Sequence, residues 1–106
     1  MSKELVIKNQ KANELIKTGR EFALLKEYSV AQDYFNSALE LDSDSVEAYK
    51  NLGFLYKETE EIEPAIEAFR KVIFLNPDDV VANSELGNLF MLKEKYDIAS
   101  KYLNKA

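Results

Sequence analysis

Lys50, Phe54 and Lys57 stand four and three residues apart, a spacing that puts an aromatic ring and two cations on one face of a helix. Such a set can hold an apolar side chain beside a carboxylate, which is recognition chemistry rather than bond-breaking chemistry. The plainer alternative is that Phe54 packs on a neighbouring helix while the lysines are merely solvated. Candidates for catalysis are few. The chain contains no His and no Cys, which removes imidazole bases, Ser–His relays, thiolates and the commonest zinc ligands. The adjacent carboxylates Glu60-Glu61 and Asp78-Asp79 fall at a turn and a helix start, where capping accounts for them better than acid–base work. No spaced set of oxygen ligands surrounds a glycine turn, and no glycine-rich loop could cradle phosphates. The chain is therefore expected not to be an enzyme, with no catalytic residue, cofactor or metal.

Length and composition narrow the alternatives. The 106 residues are 46% hydrophobic, enough for a continuous core, and three Gly with two Pro leave little room for a turn-rich β fold. A net charge of −5 argues against binding the phosphate backbone of a nucleic acid. The charge is uneven: residues 1–11 carry +2, residues 12–45 and 46–79 carry −4 each, and residues 80–106 carry +1. Solvated helix faces and helix starts explain the acidic middle. No apolar run approaches membrane-spanning length and no secretion signal opens the sequence, so no membrane contact and a cytoplasmic location are expected.

A period of 34 residues positions everything else. It links Gly19, Gly53 and Gly87; Ala31, Ala65 and Ala99; Phe22, Tyr56 and Phe90; and Phe35, Phe69 and Leu103. A fixed period of this length marks an array whose units cannot bury their apolar sides alone. Within each unit the apolar residues recur at helical spacing. Helices are expected over about 8–25, from Ser29 to about Leu41, from about Asp44 to Glu58, from a first turn containing Pro64 to about Leu75, over 79–92, and from about Asp97 onward. Ser29 with Gln32 reads as a capping box, and Asp44 with Glu47 as the next start signal. A Gly in one helix and an Ala in the next let the two cross closely, with the aromatic at 22, 56 and 90 filling the space beside them. On this reading Gly53→Leu disrupts the central hairpin.

The stretch Ala48-Tyr49-Lys50-Asn51-Leu52-Gly53-Phe54-Leu55-Tyr56, followed by Ala65, Phe69 and Pro77, resembles the tetratricopeptide repeat. The resemblance implies an all-α, right-handed superhelical solenoid of three helix-turn-helix repeats, about six helices. Its divisions are an extension of the first helix over 1–11, repeats over 12–45 and 46–79, and an incomplete third over 80–106 without a capping helix. Lys26, Glu60 and Glu94 stand in the turn where the family often has Gly, Ser43 where the second unit has Pro77, and Asn83 where the others have Leu15 and Tyr49.

The resemblance also implies a function, a scaffold that binds a peptide or helical segment of another protein in a concave groove lined by the first helix of each unit. Carried over by register, the groove residues are Asn13, Ile16, Arg20 and Ala23, then Glu47, Lys50, Phe54 and Lys57, then Val81, Ser84, Asn88 and Met91. Relatives that clamp the carboxylate of chaperone tails need further cations and asparagines. Here Asn51 matches one of them, but Ile16, Arg20, Val81 and Glu85 do not complete the set. The alternative function is self-assembly through the uncapped end or the groove, with a homo-oligomer formed through the C-terminal hairpin, because an uncapped end leaves apolar surface around Ile98, Tyr102 and Leu103. Phe74, at a site usually polar in the family, is expected to cover the junction with the third unit.

Overall fold

The computed structural model describes the backbone of residues 2–105 and the side chains of residues 2–98. Five helices follow in order: α1 (Lys3–Leu24), α2 (Tyr28–Leu41), α3 (Val46–Glu58), α4 (Ile62–Leu75) and α5 (Val80–Lys105). Among the described residues there is no strand. The helices form an elongated array of 61 × 31 × 18 Å, with α1 folded on α2 and α3 on α4 as hairpins.

Each hairpin closes in the same way. The aromatic two residues before the helix end accepts the closing bond through its carbonyl: Glu27 N–H donates to Phe22 O at 2.9 Å, and Glu61 N–H to Tyr56 O at 2.8 Å. This six-to-one bond needs a residue in left-handed conformation, and Lys26 (φ 63°) and Glu60 (φ 61°) supply it. Both are non-glycine, so each turn carries about 1 kcal/mol of backbone strain. Packing offsets that strain. Phe35 and Phe69 are fully buried and lie against Gly19 and Gly53, where an added Cβ would stand 2.7 and 2.6 Å from the rings.

The buried residues form two clusters. Ala12, Ile16, Phe35 and Leu52 belong to one, and Ile66, Phe69, Val72 and Leu89 to the other; Tyr56 packs against both. Its hydroxyl accepts a hydrogen bond from Gln32 Nε2 at 3.1 Å. Burial, with the nearby Glu61 carboxylate, raises the Tyr56 pKa against the opposing effect of that bond.

The helix starts differ from expectation by one or two residues. Gln32 reaches Tyr56 rather than its own helix end, and α2 begins at Tyr28 without a side-chain cap. The closing turn delivers the chain straight into the helix, so Ser29 already lies inside the first turn. For α3 the cap is Ser45, whose Oγ accepts from Ala48 N–H at 3.1 Å. Asp79 does the same for α5, accepting from Ala82 N–H at 2.9 Å.

The third unit does not form a hairpin. Where two helices are expected, α5 runs unbroken for 26 residues. Its counterpart of the two turns, Leu92-Lys93-Glu94-Lys95, consists of strong helix formers, and Lys93 Nζ is held by Glu63 Oε1 of α4 at 2.7 Å. The packing partner is also weaker in sequence, with Leu103 in register with Phe35 and Phe69. The strain of a left-handed Glu94 goes without equal return, and local propensity prevails. Among the described residues, a Cβ at Gly87 would meet nothing within 4 Å. Ile98 is half exposed; the side chains of Ala99, Tyr102 and Leu103, the other residues of the expected sixth helix, lie outside the described ones.

Candidate functional site

Two cavities related by the repeat lie where successive units meet. The first, of about 380 Å³, is lined by Arg20, Ala23, Leu24 and Lys26 from the first unit and by Asn51, Phe54, Leu55 and Glu58 of α3. The second, of about 320 Å³, has Lys57, Glu60 and Ile62 on one side and Leu89, Leu92 and Tyr96 of α5 on the other. Ala23, Lys26 and Leu55 of the first occupy the register of Lys57, Glu60 and Leu89 in the second. The first is the more open to a ligand's charge, because short Ala23 stands where Lys57 crosses the second junction.

That crossing is an ion pair. Lys57 Nζ bonds to Glu85 Oε2 of α5, and Lys50 Nζ lies 2.6 Å from Asp79 Oδ2. Asp79 is 7% exposed. The Lys50 ammonium, then the Ala82 N–H, hold its carboxyl below the ordinary value, against burial, which acts the other way. The corresponding positions at the first junction are Ile16 and Ser45, apolar and neutral, and both are buried. A charged cap at the second junction is thus matched by a cation, and a neutral cap at the first by an aliphatic side chain.

These pairs correct the expectation that Lys50 and Lys57 flank Phe54 as cations ready for a partner. Both are committed to α5. Phe54 packs on a neighbouring helix and is still partly open to solvent. Its ring packs edge-on against Phe69 with centroids 5.3 Å apart at 84°, yet it remains 39% exposed, with Lys57 Nζ 5.7 Å from its centroid.

Of the residues expected in the groove, Arg20, Ala23 and Phe54 line the first cavity and Lys57 the second. Ile16 does not face a groove at all, being 5% exposed within the first cluster. Asn13, Glu47, Val81, Ser84, Asn88 and Met91 are exposed and line neither cavity. The cavities lie at the C-terminal halves of the first helices and against the turns, so counting from the helix starts missed Leu24, Lys26 and Glu58. Their turn is marked in the sequence, since Lys26 and Glu60 stand where the repeat that the chain resembles often has Gly. Among the described residues no ion pair takes up Arg20 or Lys26. Phe74 does not cover a junction; it is 81% exposed, with Lys71 Nζ 6.0 Å from its ring.

Among the described residues no three acidic side chains converge as a metal site would require, and no helix is long and apolar enough to cross a membrane. What the first cavity offers is an apolar lining, a half-exposed ring, and two cations, Arg20 and Lys26, against one carboxylate, Glu58. This arrangement can bind an apolar side chain and a neighbouring carboxylate together.

Comparison with known proteins gives this geometry a context. Residues 46–79 match the family model for the tetratricopeptide repeat. Over 82 residues the chain is 27% identical to Tetratricopeptide repeat protein 37 of Xenopus laevis, spanning 77% of this chain and 5% of that protein. Over 72 residues it is 38% identical to the uncharacterized protein ycf37 of Cyanophora paradoxa, spanning 64% of this chain and 42% of that one. It therefore spans less than half the length of either relative. Among solved structures, MamA is similar with a TM-score of 0.77 at 29% identity, over 92% of this chain and 57% of that one. The second TPR of Spaghetti (RPAP3), solved bound to the HSP90 peptide SRMEEVD, gives a TM-score of 0.76 at 18% identity, over 91% of this chain and 89% of that one. At that identity the likeness is one of fold.

Proposed function

We propose that this chain, an array of tetratricopeptide repeats, captures a segment of a partner protein along the face made by α1, α3 and the first half of α5, acting by binding and not by catalysis. The observation that carries the reading is the first cavity, where Arg20 and Lys26 stand beside Phe54 and Leu55 while Lys50 and Lys57 are engaged with α5. An apolar side chain of the partner enters this cavity and stacks on Phe54, and an acidic side chain or terminal carboxylate next to it meets Arg20 and Lys26. Peptide binding by a protein of the same fold, the RPAP3 domain with its HSP90 peptide, supports the class of ligand. The chaperone-tail clamp itself is not reproduced here, so the partner differs from that peptide in sequence.

Binding of an array of short peptides that pair one large apolar residue with one acid tests the reading. Phe54→Ala and Arg20→Ala are each expected to weaken the selected peptides about tenfold or more, as loss of a buried anchor or a charge-assisted bond does. Lys50→Ala is expected to lower stability more than affinity. Selected peptides that bind equally well to both groove variants would overturn the proposal.

A further inference from the structure

The outer face of α4 differs in chemistry from that of α2. Glu67, Arg70, Lys71 and Phe74 recur at helical spacing on one side of α4. They line an open recess of about 290 Å³, and none of them lines either junction cavity. The same register in the first unit reads Asp33, Asn36, Ser37 and Glu40. A face with two carboxylates thus becomes one with two cations, one carboxylate and a ring. Phe74 is 81% exposed, with Lys71 Nζ 6.0 Å from its centroid. This exposure is not an effect of the array's end. Glu40, the counterpart of Phe74, is exposed although α3 and α4 pack beyond it, so further helices stacked in the same way would leave Phe74 in water too.

The cations beside Phe74 are lightly held. Arg70 donates to Glu67 Oε1 at 3.3 Å, and its guanidinium stands 5.5 Å from the Phe90 centroid. Among the described residues Lys71 has no ion pair. Glu67 and Lys71 also border a recess of about 310 Å³ between α2 and α4, where Leu39 and Pro64 contribute apolar lining. A ring, an unpaired ammonium and an apolar recess therefore adjoin on a face with excess positive charge, in a chain whose net charge is −5.

We infer that this face is a second docking site, which takes an acidic segment of a partner protein. A large apolar side chain of that segment lies on Phe74, and its carboxylates meet Lys71 and Arg70. Charge selects this occupant. The chain as a whole repels acidic segments, and the outer face of α4 is where its sign is locally reversed. Covering Phe74 also removes the ring and its ammonium from water, which strengthens the contact between them. Two cations are too few to hold the phosphate backbone of a nucleic acid firmly. No residue of α4 lines the first cavity, so this site and the peptide cavity stand or fall separately.

Fluorescence anisotropy of labelled peptides, each with one Phe, Trp or Leu flanked by Glu and Asp, tests this on the full chain. A set of these peptides is expected to lose about tenfold or more in affinity with Phe74→Ala and with Lys71→Ser. The same set is expected to weaken as salt is added and to bind Phe54→Ala as tightly as the unchanged chain. Phe74→Ala shortens an exposed side chain, so its thermal melt is expected to match that of the unchanged chain. Absence of any such set, with every binding peptide indifferent to Phe74→Ala, would overturn the inference. So would a thymidine oligonucleotide, or a second copy of the chain seen by light scattering, whose binding depends on Phe74 where that of the peptides does not.

Discussion

Gly53 and Phe69 meet so closely that a methyl group on Gly53 would stand 2.6 Å from two carbons of the Phe69 ring. The ring is fully buried and has nowhere to retreat. Gly53→Ala is therefore expected to destabilise the chain, since overpacking of about 1–3 kcal/mol exceeds the gain of about 1 kcal/mol in helix propensity. Gly87→Ala, one period on, meets open space and is expected to stabilise the monomer by up to about 1 kcal/mol. Urea unfolding of the two variants at low protein concentration compares them, and a common sign would refute the packing account.

Asp79 gives the stability a dependence on acid. Lys50 and the Ala82 N–H hold its folded-state pKa below the ordinary 3.8, so near that pH the unfolded chain binds more protons and stability rises with pH. The contribution is complete above the ordinary value and is lost as pH falls through the folded one. Asp79→Asn keeps the cap but not the charge. It is expected to flatten the acid limb of stability between about pH 5 and pH 2, as read from thermal melts across that range. Lys50→Met leaves the carboxylate with the backbone N–H groups of Ala82 and Val81 alone and is expected to cost about 1–3 kcal/mol at neutral pH.

Two serines that look alike in sequence are expected to behave differently. Ser45 caps α3 from a buried position, 8% exposed, and Ser45→Ala is expected to cost about 1 kcal/mol. Ser29 lies inside α2, exposed and without a capping bond, and Ser29→Ala is expected to change stability by no more than about 0.5 kcal/mol. Paired thermal unfolding curves decide it; equal losses would mean that α2 is capped after all.

The two left-handed turns are a reserve of stability. Lys26→Gly and Glu60→Gly relieve a positive φ that glycine adopts without penalty, and each is expected to stabilise by up to about 1 kcal/mol. Glu94→Gly is expected to act in the opposite sense, weakening a continuous helix by about 1 kcal/mol. Circular dichroism melts of the three single variants test the contrast. A stabilising Glu94→Gly would show that the third unit closes like the others.

The internal crossings of the first two hairpins were legible because they rest on residues with little room for substitution. Gly53 must lack a Cβ, Phe69 must fill the space, and both recur in register with Gly19 and Phe35. The third hairpin was not legible from the period, because register reports where helices would meet but not whether the turn between them is worth its strain. That balance turns on Leu103 against phenylalanine and on the helix-forming run from Leu92 to Lys95. Within the candidate site, Phe54 and Arg20 could be placed by counting along helices. The engagement of Lys50 and Lys57 could not, since their partners Asp79 and Glu85 lie in the next unit and become neighbours only through stacking. Ile16 was misplaced for the related reason that its surroundings at the first junction are apolar, whereas Lys50 in the same register meets a charged cap.

Tyr56 packs against both buried clusters and is hydrogen-bonded to α2. In an array whose units touch only their neighbours, melting can proceed piecemeal from either end. Tyr56 adds a shared contact to the α3 and α4 residues that already join the first cluster, so Tyr56→Ala is expected to broaden the calorimetric melting transition, and an unchanged width would refute the coupling.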